Sequence, residues 1–365
     1  MVTYNNKVDY NSIDKESNCS SIEVSVLMSI YDENYNQVSE AVKSILNQTF
    51  DKIEFIIVLD DPHNYEIKKY LSRINDSRII LIENKENIGL AHSMNIAIKA
   101  SNGRYIARMD ADDISFPTRL AQQFQYMEQN KDIGILGTQI KKFGDSSRYW
   151  LNVTEPKAIK AKLFFKCCIA HPTVMIRKSI LIDRNLHYNT RFKSSQDYNL
   201  WSRASLDVSI ANLPEVLLFY RVHKQQITQR NKKEQQKFFG ESQLELVKNI
   251  LGSITEEEKK ISALIWKEEK ITDKNDIASF ESLIRNLIKQ NRHKNIYNLI
   301  EFEVPIANLL VKRITPFRIK NYLFLFRITM KNGFFNFIHR KSKKKLLRFS
   351  IKRKFRKNNF QNTIL

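Results

Sequence analysis

The chain has 365 residues, 42% of them hydrophobic and including 22 Phe and 14 Tyr, enough to bury a sizeable core in one large domain with appendages or in two domains. Its net charge of +21 is concentrated at one end: the 62 residues after Glu303 carry 17 Lys and Arg and no acid, leaving +4 for residues 1–303. Three cysteines (Cys19, Cys167, Cys168), two of them adjacent, offer no disulfide framework and fit a reducing compartment.

Residues 1–21 read as a polar leader without an apolar signal region, and no apolar run reaches the length needed to span a bilayer. Val24–Ile30 is a compact apolar run suited to a buried strand. After a polar loop, Val38, Ala41, Val42, Ile45 and Leu46 fall on one face of a helix. Ile53–Leu59 predicts a second strand ending in Asp60-Asp61-Pro62, a helical stretch follows to about Arg73, and Arg78–Glu83 is a third strand. Leu90, Met94, Ala97 and Ile98 mark another helix, closed by Asn102-Gly103.

A fourth strand with Tyr105, Ile106 and Ala107 runs into Asp110-Ala111-Asp112-Asp113. Ser115 and Pro117 then predict a helix start, and Ile133–Ile140 a strand. Further along, Ala158–Phe165 reads as helix, His171–Arg177 as a strand after a turn, Arg191–Trp201 as loop into helix and Leu217–His223 as strand. From about residue 232 the pattern is helical and charged, with Thr255-Glu-Glu-Glu as a helix start and 276–290 and 293–302 as an antiparallel helix pair. Strands alternating with helices imply βαβ units and a mostly parallel α/β sheet flanked by helices, followed by a C-terminal helical region.

In such a sheet, ligands collect at the carboxyl ends of strands. Asp110 and Asp112, two residues apart, can both reach one point beyond the strand end, where their oxygens suit a hard cation such as Mg2+ or Mn2+. A cation there would neutralise a diphosphate leaving group; a solvated acidic turn is the competing reading. No G-x-G-x-x-G follows the first strand, and neither a G-x-x-x-x-G-K-[ST] nor a G-x-S-x-G element is present.

The order of these elements resembles the family 2 glycosyltransferases of GT-A fold, in particular bacterial enzymes of lipooligosaccharide, O-antigen and capsule synthesis. The matching stretches are Val24–Tyr31, Ser44–Phe50, Ile56–Asp60, Asn87–Asn95, Ile106–Asp113, Pro117–Arg119, His171-Pro172, Gln196–Trp201 and Tyr220–His223. The resemblance spans about 22–230. It implies four regions: a polar leader at 1–21, a GT-A domain at 22–231, a helical region at 232–303 and a basic, aromatic-rich tail at 304–365.

The resemblance also implies roles. Ser29 and Tyr31 leave the first strand where the family seats the base and ribose; Asp60, or Asp61 in its place, would hydrogen-bond the base. Glu33, Asn87, Gly89 and Asn95 are expected near the nucleotide, with Asn95 as a helix-face partner. Asp110 and Ala111 are expected at the ribose and diphosphate, and Asp112 as the principal metal ligand for Mn2+ or Mg2+. Asp110 and His223 would complete the metal site, with Asp113 supporting it. Asp197 is the expected catalytic base of inverting transfer, and helix capping is its alternative. Where the family reads Glu-Asp, this chain reads Gln196-Asp197. Gln196, His171 and Trp201 are expected at the acceptor, Trp201 fitting the core equally well.

The expected activity is metal-dependent transfer of a sugar from a nucleotide-diphosphate donor, such as a UDP-sugar, to a saccharide or lipid-linked acceptor. A non-catalytic nucleotide-binding protein on the same fold is the alternative. In the tail, Lys and Arg interleave with aromatics, which fits docking on the anionic inner face of the cell membrane from the cytoplasm. Nucleic-acid binding is the competing use of such charge, and no nucleic-acid fold signature accompanies it.

Overall fold

The computed structural model describes residues 22–223, 232–267, 271 and 273–313. The leader at 1–21, Cys19 and almost all of the basic tail lie outside the described residues. The chain divides into two compact units: one runs up to Leu163 and resumes at Cys167–Ser242, and the other comprises Phe164–Lys166 and the chain from Gln243 onward.

The first unit carries the sheet. β1 (Val24–Ile30), β2 (Ile53–Leu59), β3 (Ile79–Glu83) and β4 (Tyr105–Asp110) run parallel in the order β3-β2-β1-β4. β1 and β2 are mostly apolar because both of their faces are covered. Val26, Met28, Phe55 and Ile57 pack in one layer with Val38, Ala41, Val42 and Ile45 of α1 (Tyr35–Leu46). Ile67 and Leu71 of α2 (Tyr65–Ser72) join the same layer. The alternate residues Leu27, Ile56 and Val58 pack on the other face with Ala91, Met94 and Ala97 of α3 (Leu90–Ala100). Side chains that alternate between two apolar layers fix the register, since a one-residue slip would exchange the layers.

After β4 come β5 (Ile114–Ser115) and α4 (Arg119–Gln129), whose Leu120 and Met127 extend the first layer. β6 (Ile133–Gly144), β7 (Tyr149–Trp150), α5 (Pro156–Leu163), a 3-10 turn at His171–Thr173, β8 (Met175–Arg177) and α6 (Lys178–Asp183) follow. The unit continues with α7 (Gln196–Ala204), β9 (Ser209–Val222) and the first part of α8 (Lys232–Leu251). β8 lies antiparallel between β4 and β6, β9 pairs parallel with β6, and β5 closes on the far edge of β9. This is an α/β fold on a mixed, mostly parallel sheet flanked by helices.

Several elements begin or end away from their expected positions, each for a local reason. α2 begins at Tyr65 rather than Pro62 because the Asn64 side chain accepts the Ile67 backbone N–H at 3.1 Å. Ser115 is strand rather than helix start, and the helix waits for Thr118 at its N-cap. β9 begins eight residues before the expected Leu217, at Ser209. Its early part contains Pro214, which falls where the β6 pairing jumps from Asn212 to Val216. A proline has no N–H for a ladder, so it sits at such an irregularity.

In the second unit, Thr255 and Glu258 form a reciprocal capping box at the start of α9 (Glu256–Ser262), as the sequence predicts. The expected break near residue 291 is absent: α10 runs Lys274–Lys294 and ends at Asn295, whose φ of 51° turns the chain into α11 (Leu299–Arg313). Phe164, Tyr297 and Phe302 pack as an aromatic cluster, with Tyr297 and Phe302 stacked at 4.7 Å. Among the described residues, no helix is long and apolar enough to cross a membrane.

Candidate active site

β1 has β2 on one side and β4 on the other, so successive crossovers diverge at its carboxyl end. Ser29 of β1 sits opposite Asp110 of β4 at that switch point, where an open α/β sheet binds ligands. Strand alternation places Tyr105, Ala107 and Met109 in the α1/α4 layer and Ile106 in the other, so Arg108 and Asp110 belong to the α3/α7 side. Asp110 is ion-paired there with the buried Arg108.

The carboxylates after β4 are gripped by the end of β9. Asp113 Oδ1 accepts the Arg221 backbone N–H at 2.8 Å, and Arg221 Nε donates to the Asp112 carbonyl at 2.7 Å. His223 Nε2 lies 3.2 Å from Asp112 Oδ2, and Arg221 also pairs with Glu40 of α1. The sequence separates these partners by more than a hundred residues; the short β5–β9 ladder brings them together.

Asp110, Asp112 and Asp113 each offer an oxygen within 4.8 Å of the others. Asp113 is fully buried, whereas Asp110 and Asp112 retain some exposure. Burial and the neighbouring Asp110 hold the Asp112 carboxyl above the usual range, partly opposed by His223. Burial, then Asp110 and Asp112, push Asp113 well above it. Crowded carboxylates with an imidazole at their edge are a donor set that fits a hard divalent cation. Glu33 is close enough to feel Asp112 and Asp110, and burial is the main reason its pKa rises to about 7.

On the expected nucleotide side, Tyr31 is about half exposed, with its backbone N–H on Glu33 Oε2 at 2.8 Å. Asp60 is only 2% exposed, and its carboxylate accepts from Asn84 Nδ2 at 2.7 Å, Ile88 N at 3.0 Å and Gly89 N at 2.9 Å. It therefore organises the loop before α3, while Asp61 is the more open of the two. Gly89 stands at φ 85°, a conformation costly for any residue with a Cβ, and Asn87 Oδ1 accepts its N–H at 3.0 Å.

Two residues expected at the nucleotide have scaffold roles as well. Asn95 exchanges both amide hydrogen bonds with the Tyr188 backbone, at 2.8 and 3.0 Å, so it staples α3 to the 188 segment. The Ala111 side chain is in the core and leaves only its peptide groups to contribute.

Asp197 lies in the first turn of α7, half-buried, one residue after Gln196. It does not cap the helix: Ser195 does, at φ 57°, without a side-chain cap bond. Burial raises the Asp197 pKa, against the backbone N–H of Tyr198 and the field of Arg108. His171 is buried, its Nε2 lying 2.7 Å from the Tyr188 hydroxyl; burial and Arg108 hold it well below the usual histidine range, in the neutral form. Trp201 is fully buried among core residues, so its assignment to an acceptor wall is withdrawn.

Arg108 and Arg119 escape the sequence reading of the site. Arg119, fully buried, donates from Nη1 to the carbonyls of Arg108 at 3.1 Å and Pro172 at 2.6 Å. It ties the strand before the carboxylates to the 3-10 turn carrying His171. Both lie inside the matching stretches Ile106–Asp113 and Pro117–Arg119, which marked them without giving them a role.

The switch-point sheet and the carboxylate cluster at its edge define the GT-A class of nucleotide-diphosphosugar transferases. The profile of Glycosyl transferase family 2 matches residues 25–192. An uncharacterised glycosyltransferase of Methanocaldococcus jannaschii is 39% identical over 209 residues, 54% of this chain and 70% of that one. The O-antigen biosynthesis glycosyltransferase WbnJ of Escherichia coli is 35% identical over 208 residues, covering 55% of this chain and 80% of its own. The crystal structure of S. aureus TarS 1-349 in complex with UDP-GlcNAc shares the fold, with a TM-score of 0.55 at 15% identity over 85% of this chain and 92% of that one. The chain belongs to glycosyltransferase family 2 and is a glycosyltransferase.

Proposed function

We propose that the chain transfers a sugar, with inversion, from a UDP-sugar to a saccharide or lipid-linked saccharide in the synthesis of a surface polysaccharide. The observation carrying this reading is the convergence of Asp110, Asp112 and His223 at the switch-point edge. The names of relatives support the product class: WbnJ is an O-antigen enzyme, and a 29% identical Escherichia coli relative is named a UDP-Glc-dependent glucosyltransferase acting on a diphosphoundecaprenol-linked sugar.

Asp110, Asp112 and His223 would hold Mn2+ or Mg2+, which when bound supplies the positive charge that makes a nucleoside diphosphate a better leaving group. Tyr31 offers an exposed ring for the base, and Asp61 and the Asn87–Gly89 loop are the polar groups assigned to the same nucleotide. Arg221 ties the acidic turn to β9 through the Asp113 carboxylate and the Asp112 carbonyl. Asp197 takes the proton of the acceptor hydroxyl while the oxygen attacks the anomeric carbon opposite the departing diphosphate. Gln196 is the polar residue beside it for the acceptor.

The test is donor hydrolysis across UDP-, GDP- and dTDP-sugars with Mn2+, against Asp112→Ala. Turnover of a UDP-sugar that disappears in the variant is the expected outcome. Turnover that survives in the variant would remove the metal role, and absence of both turnover and nucleotide binding would end the reading.

A further inference from the structure

Arg108 is an unusual residue for the middle of a core sheet. It is 3% exposed, it projects on the α3/α7 side of β4, and one nitrogen, Nη2, pairs with Asp110. Its Nε and Nη1 meet no hydrogen-bond acceptor among the described residues. A buried guanidinium with two idle donors is costly, and such groups persist where a ligand completes them.

Its surroundings say where that ligand lies. Arg108 is paired with Asp110 and stands on the side of β4 covered by α3 and α7, the helix whose first turn carries Asp197; its charge is felt by Asp197, His171 and Tyr188. If Asp110 faces the diphosphate and Asp197 the acceptor hydroxyl, the transferred sugar must occupy the space between them. Arg108 is paired with one of these two groups and stands on the side of the sheet that carries the other. Its charge is already matched by Asp110, so the two remaining donors suit neutral oxygens.

We propose that Arg108 is a specificity-determining residue that donates from Nε and Nη1 to hydroxyl oxygens of the transferred sugar. This rests on the donor reading above, and it distinguishes the sugar from the nucleotide that carries it. A planar fork reading two oxygens discriminates hydroxyl configuration in a way that a point charge does not. Asp110 serves as the anchor that holds the fork in place.

The experiment titrates UDP, GDP and dTDP, and the glucose conjugate of each, into wild type, Arg108→Lys and Arg108→Met with Mn2+. The readout is the ratio of dissociation constants, conjugate over parent nucleotide, for the nucleotide that binds. Removing the fork should raise that ratio about tenfold or more in Arg108→Met, with Arg108→Lys intermediate because it keeps the charge and the Asp110 pair. Binding of the parent nucleotide by each variant shows that it is folded, and Arg108→Lys keeps the test open if Arg108→Met is not. An unchanged ratio overturns the role of Arg108 while leaving nucleotide binding intact. If wild type binds none of the three nucleotides, the donor reading itself fails, and this inference with it.

Discussion

Asp197 combines burial with chemical demand. Its pKa is raised because the surroundings disfavour its charge, yet a base must be ionised to act. The acid limb of kcat/KM should therefore lie above the ordinary aspartate range. A steady-state profile with its limb at or below that range would exclude Asp197 as the base. Asp197→Asn should lower transfer by about a thousandfold or more while leaving nucleotide affinity nearly unchanged, read by single-turnover kinetics and calorimetry. The sign for stability is opposite. A carboxyl whose folded pKa exceeds its unfolded one contributes most below the unfolded value, and the contribution is lost as pH rises through the folded value. At neutral pH, Asp197→Asn should therefore melt higher than wild type, and this gap should close in acid.

At the scale of elements, what was legible depended on burial. β1, β2 and β4 could be read directly because strands covered on both faces are mostly apolar. β5 and β7, at two residues each, and α6, at six, are too short to carry a period, and only pairing or packing creates them. The carboxylates of the site were legible through their spacing and place after a strand. Arg108 was not, since a strand position gives no sign of whether the donors of a side chain are matched. Trp201 misled, and Asn95 carries a second role, because polar and aromatic residues near a site serve the scaffold as readily as the ligand. Glu54, at the opposite end of the sheet, is such a scaffold residue. It accepts from Ser25 Oγ, the backbone of Asn102 and Asn102 Nδ2, bracing β1 and β2 against the turn into β4. Glu54→Ala should cost about 2–4 kcal/mol in chemical denaturation. It should leave kcat of the surviving folded enzyme close to wild type; a large loss of kcat would mean that this brace reaches the site.

For the whole molecule, relatives such as WbnJ align with little more than half of the chain, and the profile match ends at residue 192. The helices after Ser242 form their own unit, and the excess charge follows them. We propose that the tail docks the enzyme on an anionic bilayer beside a lipid-linked acceptor, each basic residue near the surface contributing about 1 kcal/mol. Removal of residues 313–365 should abolish sedimentation with phosphatidylglycerol vesicles and leave donor hydrolysis in solution intact. Retained sedimentation would place the membrane contact elsewhere or remove it.

The clasp of β9 on the acidic turn has a consequence in time as well as in space. Asp112 and His223 are 111 residues apart, and between them the chain must lay down β6, β8 and β9 before the imidazole can reach the carboxylate. Such distant closure is slow, because loop entropy is lost before the contact rewards it. A refolding chain should thus regain its β1–β4 half before it gains any affinity for Mn2+, and metal-dependent protection should arrive only with the slowest phase. In this protein the cation would act as a seal on a finished fold, with no part in nucleating it.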